Sequence, residues 1–199
     1  MSYITFVTQS GPLAAYTLTA ITIFAETGLL IGFFLPGDSL LFGLGILAAN
    51  HTLGFYWILL VGIIAGIVGE SVGYAIGKKS GHALFNHKTG FFSKKQLSQV
   101  EYFYTRYGTA TVILSRFIPI IRTFVPLVAG AAEMPYRQFL IANVAGAVIW
   151  IGGVTAAGYY LGHLIPNLDH YINLIVLGVV AISLLTMARH LLTHRKAMH

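Results

Sequence analysis

Apolar positions along the chain fall into long runs, and the few polar interruptions sort those runs into two kinds. Residues 55–77 and 139–161 are almost unbroken apolar stretches. At 1.5 Å per helical residue, about 23 residues cover the roughly 30 Å of a bilayer's hydrocarbon. Residues 171–192 predict a third crossing, after a short connection holding Pro166, Asn167 and Asp169. Two further stretches are equally apolar but interrupted. Residues 12–50 contain Glu26, Pro36, Gly37 and Asp38; residues 108–136 contain Arg116, Pro119, Arg122 and Pro126. Proline removes a backbone donor and blocks helix continuation, so neither stretch suits an unbroken lipid-facing helix. Both are expected to be re-entrant helical hairpins, with breaks at Pro36, Gly37, Pro119 and Pro126. Ser93 and Gln96 suggest a capping box, followed by Leu97, Val100, Tyr104 and Tyr107 at helical intervals, so 93–107 is expected to form an interfacial helix.

Composition and charge placement agree with this reading. The 199 residues are 56% apolar and 9% charged, with a mean hydropathy of +0.77, leaving too few polar groups to cover a soluble surface. The absence of cysteine excludes disulfides and thiolate metal sites. The net charge of +6 is unevenly spread. Residues 1–77 carry three acids and no lysine or arginine, whereas 78–106 hold Lys78, Lys79, Lys88, Lys94, Lys95 and Arg106 against Glu101. The positive-inside rule puts 78–106 and the C-terminal tail, with Arg189, Arg195 and Lys196, in the cytoplasm. These bases suit anionic lipid headgroups, and no nucleic-acid-recognition pattern accompanies them. If residues 106 and 137 lie on the same side, the segment between them must enter and return. The expected fold is thus an all-α polytopic membrane protein, one domain over 1–199, with two re-entrant hairpins and at least three crossings. The first residues lack a secretory leader's basic n-region, so the N-terminus is expected to be retained.

A weak internal correspondence suggests duplication. Phe34-Leu35-Pro36 lines up with Phe124-Val125-Pro126 at an offset of 90, and Gly73-Tyr74-Ala75-Ile76-Gly77 with Gly158-Tyr159-Tyr160-Leu161-Gly162 at an offset of 85. Opposed hairpins, each followed by a crossing, would form an inverted repeat, an architecture suited to alternating access. Gly62, Gly66, Gly69, Gly73 and Gly77 form a helical stripe whose first explanation is close packing. Such faces are equally compatible with a homo-oligomer.

Candidate chemistry rests on the ionisable residues within these apolar segments. Charges at membrane depth cost several kcal/mol unless they meet water or one another, which singles out Glu26, Asp38, Glu70, Arg116 and Arg122. Arg116 and Arg122 flank Phe117-Ile118-Pro119-Ile120-Ile121, and a break at Pro119 could turn both guanidinium groups to one cavity. Their rigid donor forks suit phosphate without a metal ion. Glu26 and Asp38, on opposite arms of the first hairpin, would balance that charge or exchange protons. The alternative is a set of fixed arginine–carboxylate bridges. Glu70 and Tyr74 share a helix face and could support the pathway, as could Asn143; a buried structural hydrogen bond is the plainer reading. The eight histidines form no metal motif, no cofactor is implied, and no spaced nucleophile, histidine and acid support hydrolysis. A transporter is expected rather than an enzyme.

The chain resembles the bacterial DedA family of the VTT, or SNARE-associated, superfamily over about residues 15–165. The resemblance is carried by Phe24-Ala25-Glu26, Phe34-Leu35-Pro36-Gly37-Asp38, Gly69-Glu70-Ser71-Val72-Gly73-Tyr74, and Ser115-Arg116-Phe117-Ile118-Pro119-Ile120-Ile121-Arg122. It implies functional roles for Glu26, Asp38, Arg116 and Arg122, paired re-entrant hairpins, and residence in the bacterial plasma membrane. It further implies envelope maintenance, dependence on proton motive force, and a polyprenyl phosphate such as undecaprenyl phosphate, or a phospholipid, as substrate. Glu70 departs from the Asp or Asn usual at its position. A proton-coupled transporter of a small ion or solute, a phospholipid scramblase and a non-transporting membrane scaffold are the competing readings.

Overall fold

The computed structural model describes residues 3–28, 37–85, 106 and 108–165. Every regular element among them is helical: α1 (Tyr3–Gly28), α2 (Gly37–Ala49), α3 (Phe55–Phe85), α4 (Ala110–Ser115), α5 (Pro119–Ala131) and α6 (Tyr136–Leu164). The expected interfacial helix at 93–107, the crossing at 171–192 and Pro36 lie outside the described residues. The rest divides into two compact units. Of the described residues, the first takes 3–19, 37–58 and 154–165; the second takes 20–28, 59–85, 106 and 108–153.

Two helices meet the length and apolarity needed to cross a membrane: Phe55–Ser80 within α3, and Tyr136–Leu164. Both outrun the expected bounds. Only 33% and 39% of their most apolar windows are buried, so neither is the core helix of a soluble protein. Leu60, Ile64 and Val68 form an exposed aliphatic stripe on α3, as Ile141, Val144 and Val148 do on α6. The opposite face of α3 carries the glycine stripe. This division is the pattern lipid demands on one side and helix packing on the other.

Local chemistry explains the breaks. α1 bends at Gly11, whose φ of 80° and ψ of 169° only glycine adopts without strain, and the helix resumes at Pro12 with no need of its missing N–H. Between α4 and α5 the interruption falls at Ile118, extended at φ −120°, ψ 104°, because the ring of a following proline disfavours helical geometry in the residue before it. Pro119 then opens α5. Gly37 likewise opens α2. Pro126 corrects the expectation of a break: it lies inside α5, and the helix runs through it. One lost donor does not end a helix whose neighbours are held by tertiary contact; a methyl group on Gly73 of α3 would stand 3.3 Å from the Pro126 ring.

The two short helices share a length and a C-terminal closure. α2 and α5 are both 13 residues long, and both end in the same closure. His51 takes φ 58° while its N–H reaches the Ala48 carbonyl at 3.1 Å and that of Thr52 reaches Leu47 at 3.3 Å. Glu133 takes φ 54°, with Glu133 to Gly130 at 3.1 Å and Met134 to Ala129 at 3.0 Å. Both are Schellman motifs with a non-glycine residue in the left-handed position.

Packing repeats too. In the first unit, added methyls on Gly45 and Gly158 would strike the Thr155 and Phe42 carbonyl oxygens. In the second, methyls on Gly130 and Gly77 would strike those of Tyr74 and Leu127. The closures at His51 and Glu133 are 82 residues apart (133 − 51) but Gly45 and Gly130 are 85 apart (130 − 45), so the two packings are alike in kind without sharing one register.

Gly77→Ala is expected to lower stability by about 1–3 kcal/mol, because the Leu127 backbone must retreat. Gly152→Ala, where a methyl meets nothing within 4 Å, should be neutral or stabilising by up to about 1 kcal/mol. Unfolding midpoints in detergent compare the two.

Candidate functional site

The second unit holds a charged centre inside an apolar shell. Tyr74 from α3, Val112 from α4, Ile121, Val125 and Ala129 from α5, and Phe139 and Ala142 from α6 are among the buried residues that form its hydrophobic cluster. Beside them Arg116 and Glu70 are each only 2% exposed, Glu26 3% and Arg122 8%. Such burial is tolerable only for paired charges.

Two ion pairs meet that requirement. Arg116, at the C-terminal cap of α4, reaches Glu70 of α3: Nη2 lies 2.9 Å from Oε1. The same nitrogen donates to Oδ1 of Asn143 at 2.8 Å, and Asn143 Nδ2 donates to the Ile67 carbonyl at 3.1 Å. The asparagine therefore ties the guanidinium to the backbone of the helix that carries Glu70. Arg122, in the first turn of α5, pairs with Glu26 near the end of α1. A cation there faces the positive end of the α5 dipole, which the Glu26 carboxylate offsets.

Glycine admits the buried arginine. A methyl group on Gly146 of α6 would stand 3.0 Å from Arg116 Cδ and 3.1 Å from Nε. On the other flank a methyl on Gly66 would stand 3.7 Å from Nη1 and 3.0 Å from Ile151 Cδ1. Further along the stripe, Gly69 meets Thr27 and Phe24 of α1. Successive glycines thus receive α4, α1 and α5, and the stripe is a packing device that also makes room for charge.

The expected constellation is gathered with changed partners. Glu26, Glu70, Arg116, Arg122 and Asn143 all belong to the second unit, and each arginine has its own glutamate. Asp38 is a residue of the first unit, half-buried in the first turn of α2, where an acid suits the helix N-terminus. Tyr74 turns its hydroxyl elsewhere, donating to the Met134 carbonyl, while its ring stacks on Phe139 at 4.7 Å. Asn143, ranked as a minor helper from sequence, is an Arg116 ligand. Gly66 belongs to the stripe expected to serve close packing, whereas Gly146 lies against Arg116 Cδ and Nε, a role not expected of it. Their spacing carried a signal: Gly66 is one turn from Glu70, and Gly146 three residues from Asn143. Among the described residues no group of three or more His, Cys, Asp or Glu side chains could hold a metal ion.

Arg116→Ala is expected to cost about 3–5 kcal/mol, because it strands the buried Glu70 carboxylate. The paired change Arg116→Met with Glu70→Leu should recover most of that stability. Chemical unfolding in micelles, with both single variants completing the cycle, measures the difference.

Comparisons with known proteins agree with this architecture. A VTT domain matches residues 35–160. The chain is 40% identical to Protein DedA of Escherichia coli K12, covering 92% of this chain and 84% of that protein. It is also 40% identical to an uncharacterized membrane protein of Mycobacterium leprae, over 84% and 75% of the two chains, and 42% identical to one of Mycobacterium tuberculosis H37Rv, over 83% and 73%. No solved structure matches. With the domain spanning more than half of its length and such identity over nearly the whole chain, this protein belongs to the DedA family of VTT-domain membrane proteins.

Proposed function

We propose that this protein translocates a lipid phosphate, with undecaprenyl phosphate the leading substrate, across the bacterial plasma membrane. The carrying observation is the pair of buried guanidinium groups on either side of the Ile118 break, each held by one glutamate. A phosphate monoester presents what those carboxylates present: planar-fork acceptors and negative charge. It can therefore take a glutamate's place without leaving an arginine unpaired. Its hydrocarbon tail would stay in the bilayer, which the exposed aliphatic faces of α3 and α6 suit.

In this reading 12–50 and 108–136 are the two re-entrant hairpins, and 78–106 and the C-terminus are cytoplasmic. The glutamates keep the arginines neutralised when the site is empty and yield them to substrate when it is filled. Repetition of the glycine contacts in the two units supports a duplicated transporter architecture. Glu26 and Asp38 are each assigned to balancing charge or exchanging protons during the cycle.

Purified protein in liposomes of defined phospholipids and undecaprenyl phosphate, assayed for the sidedness of each lipid, tests the proposal. Protein-dependent movement of the lipid phosphate is expected. Arg122→Lys, which keeps the charge and loses the planar fork, should slow it about ten- to a hundredfold, the loss of one charged hydrogen bond. Transfer of a small solute with no movement of lipid phosphate would overturn it.

A further inference from the structure

Glu70 brings two carboxylate oxygens to a place that satisfies one. Oε1 holds Arg116, whereas Oε2 has no hydrogen-bond partner among the described residues, and neither has Nε of Arg116. Both residues are 2% exposed, so bulk water does not supply the missing bonds. The nearby hydroxyls are already committed. Thr27 donates to the Ile23 carbonyl at 2.8 Å, Ser71 to Ile67 at 2.7 Å, and Tyr74 to Met134. A buried acceptor and a buried donor on one ion pair, both unmet, mark a site that is complete only with something added.

We infer that Glu70 is a further proton-carrying group, the one that serves Arg116: protonated on Oε2, it loosens its hold on Arg116 and donates the new O–H to a phosphate oxygen that Arg116 Nε binds at the same time. This rests on the lipid-phosphate reading above. Charge balance is the reason. A phosphate monoanion placed beside an ionised Glu70 sets two negative charges on one guanidinium in a medium of low dielectric constant, whereas a proton arriving with it keeps the sum unchanged. Other groups on the packed helices cannot balance it. Arg122 of α5 is engaged by Glu26 of α1, Asn143 of α6 is neutral, and Tyr74 follows Glu70 by one turn on α3 with its hydroxyl on a carbonyl. The proton is taken from water on the side to which the site opens and is released with the lipid; no bond in the phosphate is made or broken.

The test uses the full chain in lipid nanodiscs with geranyl phosphate as a water-soluble probe. Wild-type affinity should fall with rising pH more steeply than that of Glu70→Gln, by about tenfold per pH unit above the Glu70 titration. The probe's own ionisation is common to both proteins and drops out of the comparison. Glu70→Asp should keep the wild-type slope. Equal slopes in wild type and Glu70→Gln would sink the inference. An infrared measurement on the same nanodiscs, with and without the probe, separates it from the reading beneath it. A buried carboxylic-acid carbonyl band that titrates in wild type and is missing in Glu70→Gln, with no probe bound at any pH, would leave the proton site standing and remove the lipid phosphate. No such band, bound probe or not, overturns the assignment of Glu70.

Discussion

The cost of holding a guanidinium group away from water organises the second unit. A buried arginine needs an opposite charge, further hydrogen-bond acceptors and room for a long, flat side chain. Glu70 supplies the first for Arg116 and Asn143 the second. Gly146 supplies the third by having no side chain where the arginine lies. None of these residues is adjacent to another in sequence. What joins them is the end of α4 at Arg116, imposed three residues before Pro119, which brings the arginine to the cap of a short helix.

The same economy of small residues shapes the helix contacts. Lipid tails are as apolar as leucine, so burying leucine between helices gains little over leaving it in the bilayer. Close backbone approach and its dispersion contacts must supply the attraction. α3 accordingly divides into a glycine face that packs and an aliphatic face that stays outside. Its polar residue, Glu70, lies on the packed side beside Gly69, where its charge is sheltered from hydrocarbon.

Much of this was legible in the sequence, and what was not has physical causes. Long apolar runs identify α3 and α6 because length and hydropathy are local properties; their ends were misjudged because Lys78 and Lys79 at the end of α3, and Tyr136 and Arg137 at the start of α6, continue a helix while facing outward. The membership of the charged centre was readable, since an unpaired charge in such segments would be untenable. Which acid meets which arginine was not, because pairing depends on helix rotation and on where the chain breaks. Pro126 shows the limit of local rules: proline predicts a break, yet packing against Gly73 of α3 keeps the helix whole.

The swapped glycine contacts have a consequence for how the chain holds together. α2 meets α6, and α5 meets α3, so each short helix is seated on the long helix of the other repeat. A solitary repeat, one short helix followed by its own long one, would contain neither seat. Its short helix would find a complementary groove only on a second copy, so within this one chain each half depends on the other for its closest packing.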